Sequence, residues 1–424
     1  METKQKEIRE LSKKHPKLET LMYRVNKDSL KQVHTAQMQK KASGIDGVTK
    51  QDYEKNLDEN LEELIKRMKT FSYRPQPVRR TYIPKGNGKM RPLGIPAYED
   101  RLVQGVMANI LNEVYEPRFL DCSYGFRPGR SAHDAIRDIN QTLMCRRVNY
   151  ILDCDIKGFF DNVNHEWLMK FLEHDIADKN FLRYVKRFLK AGIMEKGVYS
   201  ESSVGTPQGG QISPVLANVY LHYVLDLWFE KAVRPKLKGK AYLIRFADDF
   251  IIMFQYENEA TKVYEELIQR LAKFGLEVEK DKTHILPFGR YKGTKETFDF
   301  LGFTHYNSTT RTGKYTVGHK IAKKKRRIFK KNVNKWVKEN RTAEIAVFMT
   351  ALNRKITGAF RYYGISGTFY EIKKLWAYAM WASFKWLNRR SQRKSFTYEK
   401  YFMVWKSYIE RPRIYKDIWG WKAA

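Results

Sequence analysis

Apolar residues recur at the spacing of a helix face in two early segments of the chain. The first stripe consists of Leu57, Leu61, Leu64, Ile65 and Met68, and the second of Leu102, Val106, Ile110 and Val114. The first helix is expected to end ahead of Pro75 and the second to start after Asp100. Between them, residues 78–93 form two extended arms around Gly86-Asn87-Gly88, which predicts a β-hairpin.

Two further apolar runs predict buried strands that carry acidic residues. Residues 150–161 are typical of a strand running into a helix, with Asp153 and Asp155 on the same face of the strand. Residues 243–254 are rich in Ile, Phe and Leu around the pair Asp248-Asp249, which predicts two short strands joined by a tight turn at the acidic pair.

The last quarter of the chain shows helical periodicity. One stripe, from about Ile321, contains Ile321, Ile328, Phe329, Val333, Trp336 and Val337; a second contains Ile345, Phe348, Leu352, Ile356 and Phe360; a third lies within residues 375–387. These stripes predict an all-α bundle over residues 305–424. The fold class is therefore expected to be α+β, with mixed strands and helices followed by helices alone.

The net charge of the chain narrows the classes of molecule that it is expected to bind. The 424 residues hold 80 Lys and Arg against 47 Asp and Glu, a formal net charge of +33. A field of that sign favours nucleic acid or an anionic membrane. A membrane partner is not expected, because residues 1–6 lack the apolar core of a signal peptide and residues 345–352 are too few to span a bilayer.

The basic charge is concentrated near the carboxyl end. Residues 305–424 hold 29 Lys and Arg against 6 Asp and Glu, a net charge of +23, together with seven of the nine tryptophans. Cations interleaved with aromatic rings suit RNA, because phosphates are neutralised while unstacked bases find ring faces. The alternative is that many of these rings are core, as expected for Trp336, which lies in an apolar stripe.

The number and spacing of the cysteines indicate the redox state of the compartment in which the protein works. Cys122, Cys145 and Cys154 have no CxxC spacing and no adjacent pair of histidines, so neither a disulfide framework nor a zinc finger is indicated. A reduced, cytoplasmic protein is expected.

The acidic residues point to metal-dependent phosphoryl chemistry. A buried carboxylate pair needs cations, and hard oxygen ligands favour Mg²⁺ or Mn²⁺. Asp153 or Asp155 can meet the pair across a sheet, since neighbouring strands lie about 4.8 Å apart. Two ions bridged by such carboxylates support nucleotidyl transfer. The alternative is an exposed Asp248-Asp249 turn without a metal. On the 78–93 hairpin, Lys85, Lys89 and Arg91 can hold a triphosphate, or be ordinary solvated cations.

An ordered series of motifs resembles the group II intron branch of the reverse transcriptases over nearly the whole chain. The palm blocks are Asp155 to Phe160, residues 205–218 and residues 246–249. Residues 44–49 resemble that family's amino-terminal extension and residues 124–133 its fingers. Residues 275–282 and 298–303 resemble the late palm and primer grip, and residues 361–364 and 385–394 the thumb or maturase domain.

The resemblance implies a right-hand polymerase fold and roles for individual residues. Asp155, Asp248 and Asp249 match the catalytic triad. The resemblance implies that Asp155, Ile156 and Asp248 bind the metal, which would be two Mg²⁺ ions or Mn²⁺. The residues implied for the incoming dNTP are Lys85, Arg91, Ile156, Phe160, Gln208 and Lys282. Phe160 matches the ring that excludes a 2′-hydroxyl, with Phe159 as the alternative. Asp153 would have a structural role. Lys282 either protonates pyrophosphate or is an exposed cation without a role.

Two departures and the domain boundaries complete the comparison with the family pattern. Phe246 replaces the family's usual tyrosine, which should not disturb metal binding. No paired cysteines and His-Asn-His arrangement precede Ala424, so an endonuclease domain is not expected, and priming would use existing 3′ ends. The expected domains are an amino-terminal extension with fingers (1–100), a fingers and palm core (101–304) and a thumb or maturase domain (305–424).

The leading hypothesis is an RNA-directed DNA polymerase and intron maturase in a bacterial cytoplasm or nucleoid. Its partners would be an RNA template, a DNA or RNA primer and dNTPs, with the oligomeric state open, a dimer included. The RNA contacts are expected from Lys323, Lys324, Lys325, Arg326, Arg327, Arg389, Arg390, Arg393 and Lys394. The alternatives are a related enzyme co-opted for phage defence or RNA spacer acquisition, a non-catalytic RNA-binding protein, and an RNA-dependent RNA polymerase.

Overall fold

The computed structural model describes residues 2–84, 90–195, 197–200, 204–205, 209–390, 396–406 and 408–419. The chain divides into two compact units. Unit 1 comprises residues 1–131, 152–253 and 257–285, and unit 2 comprises residues 132–151, 254–256 and 286–424.

The helices, in chain order, are α1 (Glu2–Lys14), α2 (Lys27–Ala36), α3 (Lys50–Glu54), α4 (Leu57–Lys69), α5 (Tyr98–Tyr115), α6 (Ala132–Cys145), α7 (Phe159–Asn162), α8 (His165–Asp175), α9 (Lys179–Leu189), α10 (Ser213–Leu221), α11 (Glu257–Lys273), α12 (Lys323–Glu339), α13 (Ile345–Tyr363), α14 (Phe369–Leu387) and α15 (Tyr398–Trp405). The π-helical turns His222–Asp226 and Trp228–Val233 continue α10. None of these helices is long and apolar enough to cross a membrane.

The strands are β1 (Val78–Pro84), β2 (Met90–Ile95), β3 (Tyr150–Asp155), β4 (Ile193–Glu195), β5 (Val198–Ser200), β6 (Ala241–Phe246), β7 (Asp249–Phe254), β8 (His284–Pro287), β9 (Thr297–Phe300), β10 (Phe303–Thr309) and β11 (Tyr315–Ile321). They form three sheets, with the orders β2-β1-β4-β5, β6-β7-β3-β8 and β11-β10-β9.

The sheet β6-β7-β3-β8 contains both acidic strands that the sequence predicts. In β3 and β7 the apolar side chains are buried, whereas Asp153, Asp155 and Asp249 are half-buried. The predicted strand and the predicted pair of strands around Asp248-Asp249 are confirmed. The acidic residues are the polar exceptions in otherwise buried strands.

The predicted hairpin at residues 78–93 is also confirmed in its described part. Strands β1 and β2 pair antiparallel, from Arg79 opposite Ile95 to Pro84 opposite Met90. The tip, residues 85–89, lies outside the described residues. Helices α4 and α5 coincide with the two predicted stripes, and α5 begins at Tyr98 rather than after Asp100.

The segment 44–49, matched in sequence to an amino-terminal extension, caps helix α5. No side chain of the preceding residue, Ala97, caps this helix, and Asp46 Oδ2 accepts a hydrogen bond from the Tyr98 amide at 2.7 Å instead. Gly44 packs so closely that a Cβ there would lie 2.5 Å from the Pro96 carbonyl oxygen. This glycine is therefore required for close approach of two backbone segments.

In unit 2, residues 305–321 correct the prediction of an all-α region from residue 305. They form most of an antiparallel pair, β10 and β11, in which His305 faces His319, and β10 also pairs with β9. Val317, His319 and Ile321 are buried on alternate positions of β11, a period of two that fits a strand. The prediction failed because two of the buried residues of this hairpin, His305 and His319, are histidines, which a search for alternating apolar residues counts as polar.

Helices α12, α13 and α14 confirm the three predicted helical stripes, except that Ile321, the first residue of the first stripe, ends β11 and α12 begins at Lys323. Their inward faces form one core, which α15 joins through Tyr401. Its buried members include Val333, Val337, Phe348, Leu352, Ile356, Phe360, Ile372, Leu375, Ala379 and Met380. Trp336 is partly buried against this core, as its place in the stripe predicts.

The facing histidines of unit 2 are buried without charge. His305 and His319 are 0% and 1% exposed, and their ring centroids lie 4.9 Å apart. Burial lowers the pKa of His319 to about 4, and burial followed by repulsion from His319 holds the pKa of His305 well below 6.5. Both imidazoles are therefore neutral in the folded protein at neutral pH.

This pair predicts that unit 2 loses stability in weak acid. The histidines of the unfolded chain take up protons below pH 6.5, whereas those of the folded protein do not. The contribution of the pair to the free energy of unfolding is therefore largest above pH 6.5 and decreases as the pH falls toward 4. The loss from His319 alone is on the order of 3 kcal/mol. Urea unfolding followed by tryptophan fluorescence measures it, and His305→Leu with His319→Leu should flatten the dependence. An equally steep profile in the double variant would contradict the assignment.

Candidate active site

Three carboxylates come together where strands β3, β6 and β7 end or begin. Asp155 is the last residue of β3, Asp249 is the first residue of β7, and Asp248 lies in the turn that joins β6 to β7. Because β3 and β7 are neighbours in the sheet, the turn lies beside the end of β3. The structure thus brings together the three residues that the sequence assigns to catalysis.

Electrostatics show how closely these groups interact. Burial, and secondly repulsion from Asp153, Asp155 and Asp248, raises the pKa of Asp249 to about 8. The pKa of Asp248 is also raised, first by burial and then by Asp155. Each negative charge at this site therefore costs free energy that a nearby cation can remove.

Lys282 supplies one such cation. It lies at the end of a short 3₁₀ turn, Lys280–Lys282, and its Nζ donates a hydrogen bond to Asp155 Oδ2. This bond raises the pKa of Lys282, so its ammonium form is favoured. Lys282 is 63% exposed and Asp155 30%, which leaves both groups accessible to a substrate.

Of the residues assigned to the incoming nucleotide, Arg91 lies within electrostatic reach of Asp248. Arg91 is exposed on β2, and its charge lowers the pKa of Asp248. Lys85 and Gln208 lie outside the described residues. Gly209, which follows Gln208, has φ +120°, and a Cβ on it would lie 2.5 Å from the carbonyl oxygen of Gly94 on β2. Gly209 therefore lies directly against the strand that carries Arg91.

The two phenylalanines after Asp155 have different environments. Phe159 is 2% exposed and contacts Tyr220, with ring centroids 6.4 Å apart. Phe160 is half-buried, and its ring lies edge-to-face against Phe159 at 5.3 Å. Phe159 is a core residue, whereas Phe160 presents part of its ring outside the core.

Ile156 follows Asp155 and is buried, at 2% exposure. It forms an antiparallel bridge with Val278, whose hydrogen bonds run from Lys157 N to the Glu277 oxygen and from Glu279 N to the Asp155 oxygen. That bridge does not use the Ile156 carbonyl. The apolar side chain cannot bind a metal, so any contribution of Ile156 comes from its main chain.

The donor set fits a hard divalent cation. Among the described residues, no group of three or more His, Cys, Asp or Glu side chains is arranged to hold a metal ion by itself. Mg²⁺ is usually bound by one or two carboxylates, with water and substrate phosphates completing the shell. Half-buried carboxylates whose pKa values are raised by burial and by neighbouring carboxylates, as those of Asp248 and Asp249 are, match that incomplete but acidic site.

Sequence reasoning missed Arg245, which lies directly under the acidic turn. Its side chain is completely buried, and it forms an ion pair with Asp226, itself 0% exposed. The Nε to Oδ1 distance is 2.7 Å and the Nη2 to Oδ2 distance is 2.6 Å, a two-bond arrangement typical of a strong guanidinium–carboxylate pair. A charged residue in each of two apolar segments, 215–229 and 241–254, is the sequence signal that could have found this pair.

The remaining donors of Arg245 link the acidic turn to two other sequence motifs. Nη2 donates to Ser123 Oγ at 2.8 Å, and Nη1 donates to Asn218 Oδ1 at 3.1 Å. Nη1 also donates to the carbonyl oxygen of Ala247 at 2.9 Å. Ser123 adjoins the fingers motif, Asn218 ends the glycine-rich block, and Ala247 precedes the catalytic pair. One side chain therefore ties three separate motifs together.

In unit 2 the cations assigned to RNA lie mostly on the outer face of α12. Lys323, Lys324, Lys325 and Arg327 are exposed, whereas Arg326 donates to Glu371 Oε2 at 2.8 Å. Four of these five side chains are thus available to a polyanion, and Arg326 also has a structural bond.

Of the second group of predicted cations, Arg389 lies beside Trp386, 5.4 Å from the centre of its ring. Lys385 lies at 5.5 Å, and Lys338 and Arg341, which the sequence did not single out, lie at 5.5 and 5.7 Å. Arg390 instead donates to the carbonyl oxygens of Arg341 and Ala343. Arg393 and Lys394 lie outside the described residues.

Comparisons with known proteins indicate the family to which the chain is similar. A family model described as reverse transcriptase (RNA-dependent DNA polymerase) matches residues 83–305. Protein YkfC of Escherichia coli (strain K12) is 35% identical over 321 residues, which cover 68% of this chain and 81% of YkfC. The group II intron-encoded protein LtrA of Lactococcus lactis subsp. cremoris is 45% identical over 175 residues, which cover 40% of this chain but only 29% of LtrA.

Among solved structures, a telomerase from Candida albicans in complex with a TWJ fragment of telomeric RNA is similar over 85% of this chain and 66% of that chain. The TM-score is 0.44 and the sequence identity 14%.

Proposed function

The chain belongs to the reverse transcriptase family, and we propose that it copies RNA into DNA as a polymerase of the group II intron type and assists intron splicing as a maturase. The observation that carries this proposal is the cluster of Asp155, Asp248 and Asp249, whose raised pKa values at Asp248 and Asp249 express an unmet need for cations. A protein that only bound RNA would gain nothing from such a cluster.

We propose Mg²⁺ as the metal, held by Asp155 and Asp248 with the main chain of Ile156 beside them. Two such ions, when bound, stabilise the attacking and the leaving oxygens of an in-line phosphoryl displacement. Asp249, whose pKa is raised to about 8, would ionise fully once cations are bound near it. Lys282, whose ammonium form is favoured by Asp155, would give a proton to departing pyrophosphate.

The nucleotide would be held by groups on either side of the carboxylates. Arg91 offers a fork of N–H donors that suits phosphate oxygens, and its electrostatic effect on Asp248 indicates that it lies near the metal ligands. Phe160 would lie under the sugar, because Phe159 is fully occupied in the core. A ring there leaves no space for a 2′-hydroxyl, which supports dNTPs as substrates.

Unit 2 would supply RNA affinity and the maturase role. Exposed cations on α12 can neutralise phosphates, and the cations around Trp386 place positive charge beside an aromatic face. We further propose that the protein works in the cytoplasm or nucleoid, where an intron transcript and dNTPs are available. The absence of any disulfide among its three cysteines supports a reducing compartment.

Removal of a proposed metal ligand tests the reaction. Asp155→Ala and Asp248→Ala should each lower primer extension on an RNA template by roughly 10³-fold or more, since a bound metal contributes several kcal/mol of charge stabilisation. RNA affinity should stay at the parent value, because no phosphate-binding cation is removed. Asp281→Ala removes an exposed carboxylate next to Lys282 and should change neither quantity. Normal extension in either ligand variant would refute the assignment.

Phe160→Ala tests the nucleotide assignment. The space freed beneath the sugar should admit a 2′-hydroxyl, so the ratio of rNTP to dNTP incorporation should rise about tenfold or more, the scale of one lost steric contact. Single-nucleotide incorporation measures the ratio. Phe171→Ala, which removes another half-buried ring of unit 1, should leave it unchanged. If the ratio does not move in Phe160→Ala, another residue excludes the hydroxyl.

Neutralisation of α12 tests the RNA surface. Replacing Lys323, Lys324, Lys325 and Arg327 with Gln should weaken RNA binding and reduce the slope of log K against log salt by about 2 to 3, since each phosphate contact contributes about 0.7. Arg326 is kept because it bonds to Glu371.

The matched control for that test removes three exposed lysines of unit 1 that already face carboxylates, Lys13, Lys55 and Lys66. Its salt slope should equal the parent's. If the α12 variant shows the parent slope as well, these cations are solvated surface and the RNA contacts lie elsewhere, with the cations around Trp386 as the next candidates.

A further inference from the structure

The turn that carries Asp248 and Asp249 has an unfavourable backbone. Ala247 has φ +58°, in the left-handed region that residues with a Cβ rarely adopt. Gly125 packs against it so tightly that a Cβ there would lie 2.3 Å from the Ala247 nitrogen. A conformation of this kind persists only where the surroundings hold it in place.

Arg245 provides that restraint from below. A guanidinium has five N–H donors, and all five are used here: two on Asp226, one on Ser123, one on Asn218 and one on the Ala247 carbonyl. The Ala247 carbonyl belongs to the same planar peptide as the Asp248 nitrogen. Fixing that oxygen therefore fixes the plane from which the Asp248 side chain departs.

The partners of the guanidinium are themselves immobilised. Ser123, Asn218 and Asp226 are at most 1% exposed. Asn218 Nδ2 donates to the Gly125 carbonyl at 2.7 Å, so it contacts both the guanidinium and the glycine that presses on Ala247. The Arg245 backbone pairs with the same segment, donating to the Cys122 oxygen at 2.8 Å and accepting from Tyr124 N at 2.9 Å.

We propose that Arg245 is a positioning residue of the polymerase, which holds the Ala247 peptide so that Asp248 and Asp249 are oriented for divalent cations before substrate binds. The inference rests on the proposed function for its effect on catalysis, but its effect on cation binding is independent of it. A purely structural role would make Arg245 matter for folding and for nothing else.

The main test replaces the ion pair by apolar residues, Arg245→Met with Asp226→Leu, in the complete chain. Such replacements of buried pairs are often tolerated by the fold, because no unpaired charge remains. The variant loses the bond to Ala247 while it keeps a filled core. Arg245→Lys is the second variant: it keeps the buried charge, but its ammonium has only three donors and cannot reproduce the fork.

The matched control is Arg118→Met with Asp175→Leu. This pair also belongs to unit 1 and has a buried carboxylate, with Asp175 at 2% side-chain exposure. Arg118 bonds to Ser12 Oγ and the Pro16 carbonyl rather than to the acidic turn. The control therefore measures what the loss of a buried ion pair does by itself.

Three quantities are measured on each variant: the urea midpoint of unfolding, Mn²⁺ affinity by electron paramagnetic resonance without substrate, and kcat and KM for a dNTP. We expect both Arg245 variants to bind Mn²⁺ about tenfold more weakly and to lose about 100-fold in kcat, the scale that a displacement of about 1 Å produces, with KM changed less than about threefold. The control should keep the parent Mn²⁺ affinity and kcat, whatever its midpoint.

Parent values of Mn²⁺ affinity and kcat in a folded Arg245 variant would overturn the inference. So would an equal loss of Mn²⁺ affinity in the control, since the effect would then belong to any buried pair. If the apolar double variant does not fold, Arg245→Lys decides by the same criteria. A parent protein that binds Mn²⁺ but extends no primer would refute the proposed function, while the Mn²⁺ affinities would still decide the role of Arg245.

Discussion

Burial of carboxylates at the end of a sheet is the constraint on which the chemistry of unit 1 depends. Asp248 and Asp249 cannot both be ionised cheaply, because burial raises the pKa of each and repulsion from Asp155 adds to both shifts. The structure moderates the repulsion in two ways: Lys282 bonds to Asp155, and Arg91 lies near enough to lower the pKa of Asp248. Neither cation neutralises the cluster, and the remaining excess of negative charge is what divalent cations can relieve.

The same region has a second electrostatic problem, solved in the opposite way. Arg245 and Asp226 are both fully buried, so each would be very costly alone, and each exists because the other is present. Their pairing is complete, with no donor of Arg245 left over. A fully compensated buried pair thus lies beneath an incompletely compensated acidic cluster. The first gives a rigid base and the second a reactive surface, and the Ala247 peptide connects them.

Sequence patterns predicted the parts of the fold that a single local pattern specifies. Helices α4, α5, α12, α13 and α14 were found because their apolar residues repeat at about 3.6 positions, and strands β3, β6 and β7 because they lie in short apolar runs. Hairpin β10–β11 was missed because His305 and His319 are buried as neutral rings, which composition scores as polar. Asp248 and Asp249, together with Asp153 or Asp155, were singled out because acidic residues inside apolar strands are conspicuous, and the family resemblance selected Asp155. Arg245 was equally conspicuous, but its partner Asp226 lies 19 residues away, and only the tertiary fold shows that they meet.

The distribution of charge along the chain explains how one protein can serve both a polyanion and a cation. A net charge of +33 repels Mg²⁺ at long range and attracts RNA. At physiological ionic strength, however, exposed charges act over only about 8 Å. The affinity of the carboxylates in unit 1 for a cation therefore depends on the charges within about 8 Å of them and not on the net charge of the chain. What governs the metal is the local sign of charge, and there the half-buried aspartates outweigh their two neighbouring cations.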